Sequence, residues 1–589
     1  MKKTIRAMCV CWALLLAAGP NPGQQGTVEQ RRKALTDLLA DRWEYTLRTS
    51  PVFASMLGDK RWNDKLEDFS QAAIDKDIEA TKSYLVRFEA IDVAGFPPQE
   101  TLNKKLMVRN LRMELEGAKF KPWEMPVSQF GGIHIELPDM VNILSFESAK
   151  DYEDYIARLK AMPVLFEQTQ IQMHKGLAEG LMPPKYLLEK VVEQANRVAS
   201  APAEKTPFAR PFDKFPASIS ATDQKRLRDG GMAAIAGGVI PAYQKFTKFV
   251  REEYAPKGRT EPGLWALPDG GARYRHAVKQ LTTTGRTPQE IHELGLQQVQ
   301  EIEKEMLEVA HQLGYKDIAS LNEHIKSDRK FYAASGQQVL DLYKGYTDAM
   351  EPELPKLFGR LPKNKLEVIP MEASREKDAV PADYTGGAAD GSRAGHINVN
   401  EYDPEHRLTL NIEAIAYHEG IPGHHLQISI AQELKDLPAF RRNGFYNAFG
   451  EGWALYSEQL GKEVGRYQDP YSNYGRLENE MWRAIRLVVD TGVHEKHWSR
   501  EQMVEYFHNY TAMDEPNVQT EVDRYIAWPG QALAYKLGQL EILKLREEAK
   551  KQLGDKFDIR AFHDAVLENG ALPLDVLDEE VTAWMNGKK

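Results

Sequence analysis

A proline interrupts the stretch Ala416-Tyr417-His418-Glu419-Gly420-Ile421-Pro422-Gly423-His424-His425-Leu426-Gln427, and that interruption limits what the segment can build. The flanking residues are apolar and helix-prone. Proline has no N–H to continue the helical ladder and clashes with the preceding turn, so the helix bulges or restarts around Ile421-Pro422-Gly423. Three histidines and a glutamate within eight residues, broken by Pro-Gly, are hard to explain as packing.

Two imidazoles four residues apart on a helix can point at one Zn²⁺ while an intervening glutamate polarises the metal-bound water. Here the fourth residue after His418 is Pro422, so the second imidazole has to be His424 or His425. On an unbroken helix His425 returns to the face of His418, but roughly 10 Å further along the axis, too far to share an ion with bonds near 2 Å. A looped-out insertion brings His424 closer. Deleting two residues before Gly423 leaves His-Glu-x-Gly-His-x-Leu, a form common in zinc peptidases whose third ligand is a glutamate. His424 is therefore favoured, with His425 as the alternative.

The start of the chain bears on what else can hold a metal. Lys2, Lys3 and Arg6, an apolar run from Ala7 to Leu16, and Ala17-Ala18-Gly19 read as an export signal over residues 1–19. The two cysteines, Cys9 and Cys11, lie inside it. A mature chain without them has no thiol chemistry, and any metal falls to His, Asp and Glu. The third ligand comes from Asn447-Ala448-Phe449-Gly450-Glu451-Gly452-Trp453-Ala454-Leu455-Tyr456-Ser457-Glu458, which reads as a helix. Glu451, flanked by glycines that let backbones approach, is the candidate. Glu458 shares its face and is either a support for the site or a surface charge.

A net charge of -10 over 589 residues argues against nucleic acid as partner, and no later stretch is apolar enough for a membrane helix. The chain reads as mostly α: an N-terminal helical region over 20–275 continuous with a metal-bearing helical region over 276–589. Helices are expected over 29–118 with breaks at Ser50-Pro51 and Gly95-Phe96-Pro97-Pro98, then over 149–179, 184–198 and 222–254. Another begins at Thr287-Pro288-Gln289-Glu290. Ser200 to Ser220 reads as a linker or exposed loop. A small β-sheet beside the metal helix is expected from Gly395-His396-Ile397-Asn398-Val399-Asn400, which alternates after the turn Asp390-Gly391-Ser392-Arg393. This strand is either an edge on which a peptide could pair by main-chain hydrogen bonds or a purely structural hairpin strand.

Two later segments carry polar groups at helical spacing. Arg486, Asp490 and His494 follow at intervals of four in a very apolar helix. They either orient a ligand carboxylate or the metal shell, or form a structural ion pair. In Glu521 to Gly538, Tyr525 or Tyr535 could supply the hydrogen bond that the oxyanion of a tetrahedral intermediate needs, and Tyr525 is preferred.

Taken together, His-Glu-Gly-Ile-Pro-Gly-His-His-Leu-Gln, Asp-Gly-Ser-Arg, Glu-Gly-Trp-Ala-Leu-Tyr, Arg-Leu-Val-Val-Asp-Thr-Gly and Arg-Tyr-Ile-Ala-Trp-Pro-Gly-Gln-Ala resemble the bacterial family catalogued as domain of unknown function 885. The likeness runs nearly end to end. That family looks like a divergent relative of helical zinc peptidases of the carboxypeptidase Taq, thimet oligopeptidase and angiotensin-converting enzyme types. The resemblance implies a two-lobed helical body with a deep cleft for short peptides, and it matches Arg524-Tyr525 to an Arg-Tyr pair whose tyrosine stabilises the transition state.

The expectation is an exported, periplasmic or extracellular, Zn²⁺-dependent peptidase. His418, His424 and Glu451 bind the metal, Glu419 is the general base and Tyr525 the oxyanion donor. Arg524, Gln531, Tyr535, Arg393 and Asn398 are candidate substrate contacts. A zinc hydrolase of non-peptide amides or cell-wall peptides would use the same residues, and a non-catalytic metal-binding protein would have no use for Glu419.

Overall fold

The computed structural model describes residues 26–371, 376, 379–387, 393–513 and 515–588. The expected export segment and the Asp390-Gly391-Ser392 turn lie outside the described residues. The chain is mostly helical with one small sheet. Among the described residues no helix is long and apolar enough to cross a membrane.

Local chemistry sets many of the helix ends. Thr27 and Gln30 form a reciprocal capping box on Val28–Thr49, which stops before Pro51. Thr287 and Glu290 do the same for Pro288–Gln312. Ala149–Glu179 ends at Gly180, whose φ of 74° closes the helix in the left-handed region. The run expected over 222–254 is one helical rod from Ala221 to Tyr254, with π-helical turns at Ile235–Val239 and Val250–Tyr254.

The segment Ser200–Ser220 is not an exposed linker. Phe208 and Phe212 are fully buried, and short 3₁₀ turns at Ala203–Lys205 and Pro207–Phe212 fold them against Tyr155 and Tyr243. Its Pro, Ala and Lys content read as loop, but two aromatic anchors outweigh that composition.

Strands β1 (Leu366–Pro370), β2 (Ala382–Thr385) and β3 (Gly395–Val399) form a sheet in the order β1-β3-β2. β3 runs parallel to β1 and antiparallel to β2. The expected strand thus exists, but it is central and not an edge, so its main chain is already paired on both sides. β2 is the outer strand on one side. Ile397, Val399 and Ala382 pack on Ile412, Ile415 and Ala416 of the helix Ile412–Glu419, which sets the sheet beside the His418 segment.

The core around that segment unites distant parts of the chain. Leu102 and Leu106 pack in the same cluster as Tyr417, Leu426, Trp453 and Phe562, so the hydrophobic core crosses residue 276. Helix Asn447–Glu463 lies against Ala534–Leu553 at backbone contact distance. A Cβ on Gly538 would come 1.8 Å from the Ala448 carbonyl oxygen, so the closeness of this crossing requires glycine there.

Candidate metal centre

The break forecast by Pro422 is what brings the histidines together. The helix Ile412–Glu419 ends at Gly420 and a new helix, His424–Glu433, begins after Gly423. The connecting loop carries a cis Ile421–Pro422 peptide. It is held from outside: Trp453 Nε1 donates to the Pro422 carbonyl at 2.9 Å and Ser457 Oγ donates to the same oxygen at 3.2 Å. Any side chain at Gly423 would drive its Cβ to 1.9 Å from the His418 carbonyl oxygen, so the tight reversal needs glycine.

One ligand atom each from His418, His424 and Glu451 lies within 4.8 Å of the others. Glu451 Oε2 stands 3.6 Å from His418 Nε2 and 3.5 Å from His424 Nε2. These gaps exceed hydrogen bonds. They match the spacing of roughly 3.3–3.4 Å between donors on a tetrahedral zinc with bonds of about 2.0–2.1 Å. The two imidazole planes are perpendicular. The donor set of two nitrogens and one carboxylate oxygen also suits that ion.

Glu458 accepts from the far side of His418: its Oε1 is 2.8 Å from Nδ1, and the carboxylate is buried. Since a carboxylate only accepts, Nδ1 carries the proton and Nε2 is left to face Glu451. Burial alone would lower the His418 pKa, but Glu451 and Glu458 outweigh it and raise it to about 10. For Glu451, burial pushes upward and the two histidines pull the carboxyl well below the ordinary carboxylate range. The field at the three atoms therefore favours a cation. Glu419 closes the His418 helix, with burial pushing its carboxyl upward and His418 and His424 pulling against it.

His425 faces elsewhere. Its Nε2 donates to the Asn364 carbonyl at 3.1 Å, so its Nδ1 accepts from the Tyr384 hydroxyl at 3.0 Å. Burial pushes this imidazole down to about 4. Both nitrogens are occupied, one tying helix His424–Glu433 to Tyr384 on strand β2 and the other to Asn364, just ahead of β1.

Next to the histidines lies a second polar group. The Tyr535 ring stacks on His418 with centroids 6.3 Å apart, and its hydroxyl accepts from Arg524 Nη2 at 3.1 Å and Gln531 Nε2 at 3.5 Å. Tyr535 donates its own hydroxyl proton to no described residue. Tyr525 is different: its hydroxyl donates to Glu521 and accepts from Arg486 Nε at 2.9 Å and Trp482 Nε1 at 3.0 Å. It is buried in that network, and its proton is committed to a carboxylate.

The structure thus gathers His418, His424, Glu451, Glu419, Tyr535, Arg524 and Gln531. Arg393 remains exposed just ahead of β3. Asn398 donates to Asp383 at 2.7 Å and Thr385 at 2.9 Å, which fastens β3 to β2. The stripe Arg486, Asp490 and His494 does not pair within itself. Arg486 binds Glu521, Asp490 accepts from Tyr274 and the Gly530 N–H, and His494 bridges the Leu264 N–H and the Tyr525 carbonyl. Sequence reasoning missed Glu521 and Tyr384. Glu521 had a signal, four residues before Tyr525 on one helical face, whereas Tyr384 had none.

Among curated proteins none is detectably similar to this chain. A crystal structure described as a "putative lipoprotein" from Colwellia psychrerythraea is 32% identical, with a TM-score of 0.91, covering 95% of this chain and 100% of that one. A protein of unknown function from Shewanella oneidensis, 17% identical with a TM-score of 0.68 over 94% of this chain and 99% of its own, shares the fold. The family described as "Bacterial protein of unknown function (DUF885)" matches residues 51–581, and the chain belongs to it.

Proposed function

We propose that this protein is an exported zinc-dependent hydrolase of short peptides, with His418, His424 and Glu451 as its metal ligands. The observation that carries the reading is the convergence of these three side chains, at spacings suited to zinc, next to Glu419. A purely structural site closes its fourth position with another ligand and has no use for a neighbouring base. Export is supported by the charged and apolar start of the sequence and by the description of the Colwellia protein as a "putative lipoprotein".

Zinc, when bound, supplies Lewis-acid polarisation of the carbonyl and acidifies the attacking water. The chain's own groups do the rest. Glu419 takes a proton from the water as its oxygen bonds to the scissile carbon and the carbonyl electrons move onto oxygen. Burial of Glu419 strengthens it as a base. Tyr535, whose O–H is uncommitted, donates to that oxygen in place of Tyr525. Glu419 then delivers the proton to the nitrogen as the C–N bond breaks, leaving an acid and an amine. β2, the outer strand beside the His418 helix, offers the main-chain edge that β3 does not.

Elemental analysis of the mature protein, with a peptide-cleavage panel, tests this. About one zinc per chain is expected, lost in His418→Ala and Glu451→Ala. Glu419→Gln should keep the zinc and lose about 10²–10⁴-fold in rate. A chain that takes up no zinc after reconstitution would sink the reading.

A further inference from the structure

Beside the candidate metal centre the protein buries more positive charge than it pairs. Arg483 and Arg486 are buried, and the Arg524 side chain is 12% exposed. Among the described residues, Arg486 and Arg524 share one carboxylate, Glu521, at 2.9 Å from Arg486 and 3.5 Å from Arg524. The acidic neighbour of Arg483 is Glu458, 3.9 Å away and already engaged with His418. Arg486 Nη1 and Arg483 Nε have no hydrogen-bond partner among the described residues. Guanidinium groups do not give up their protons in proteins, and a buried cation lacking a counter-charge is costly. The cluster is built to hold one more anion.

Its position says which anion. Arg486 stacks over the Tyr535 ring at 4.4 Å, Arg524 donates to the Tyr535 hydroxyl at 3.1 Å, and the same ring stacks on His418. One side chain therefore separates the cations from the hydrolytic centre. A peptide advances about 3.5 Å per residue, so an anion held here sits one or two residues beyond the scissile carbonyl. Trp528, whose main-chain N–H donates to the Arg524 carbonyl, is 45% exposed at the end of the same helix.

Resting on the peptidase reading above, we propose that Arg524, backed by Arg486 and Arg483, binds the terminal carboxylate of the substrate, so that cleavage proceeds from the carboxyl end. Calorimetric binding of Ala-Ala-Phe and of Ala-Ala-Phe amide to the full-length protein in chelator tests this without any need for turnover. The free acid should bind about 10- to 100-fold more tightly than the amide. Arg524→Met should erase that difference, and Arg524→Lys should keep part of it. Equal affinities, no binding of either peptide, or a preference that survives in Arg524→Met overturns the proposal. Cleavage of the same two peptides by the zinc-loaded protein reports on the hydrolytic reading separately: an acid preference in binding with no cleavage of either leaves the carboxylate site standing and removes the peptidase.

Discussion

At the scale of single residues, the candidate centre depends on a carboxylate that never touches the metal position. Glu458 fixes the tautomer and the ring angle of His418 through the 2.8 Å contact to Nδ1. Groups of this kind are worth about 10- to 100-fold in metal affinity. Glu458→Gln is expected at the low end of that range and Glu458→Ala at the high end, read by zinc competition against a chromophoric chelator. Unchanged affinity in both would mean that the ring is held by its packing alone. His418, Glu419 and Glu451 were legible as candidates in the sequence because metal chemistry demands those residue types at constrained spacings. The orientation of His425 toward Asn364 and Tyr384 was not, since its partners are 61 and 41 residues away.

At the scale of elements, the site is a broken helix clamped by a second helix. Trp453, two residues on from Glu451, is buried and donates to the Pro422 carbonyl, so the helix that carries Glu451 also fixes the loop between His418 and His424. Trp453→Phe keeps most of the apolar contact and leaves that buried carbonyl with the weaker Ser457 bond. A loss of about 1–2 kcal/mol in stability is expected, together with weaker zinc binding. Thermal melting and zinc titration of the variant measure both, and a wild-type zinc affinity would show that the loop does not need the clamp. Pro422 made the break readable from sequence. The placement of β3 in the middle of its sheet was not readable, because its partners β1 and β2 are short and are chosen by pairing, not by their own patterns.

Across the whole molecule, buried titratable groups pull stability in opposite directions with pH. His563 donates from Nδ1 to the Leu357 carbonyl and accepts from Tyr456 at Nε2, and burial pushes its pKa down to about 3. The unfolded chain, with a histidine near 6.5, takes up a proton first on acidification, so this contribution is present above about pH 6.5 and is lost as pH falls toward 3. Asp490 is the reverse. Burial pushes it up to about 7, so its contribution is full below the unfolded value near 3.8 and is lost as pH rises toward 7. Urea midpoints at pH 4.5 and 7 should show the stability gap between wild type and His563→Gln narrowing in acid by about 2–3 kcal/mol. The gap between wild type and Asp490→Asn should narrow by a similar amount at the higher pH. Gaps that do not change with pH would place both groups in contact with solvent.

The sequence by itself determined the helical character, many of the caps and breaks, the kind of metal ligand available and the residues that could serve. These are local properties, set by side-chain chemistry within a few positions along the chain. Only the tertiary structure brought His424, and not His425, beside His418 and Glu451, committed the Tyr525 proton to Glu521 while giving that of Tyr535 to no described residue, buried Phe208 and Phe212, and gathered three guanidinium groups near Tyr535. Those outcomes depend on which distant side chains meet in space, and a one-dimensional pattern carries no information about a hydrogen-bond partner contributed by another helix.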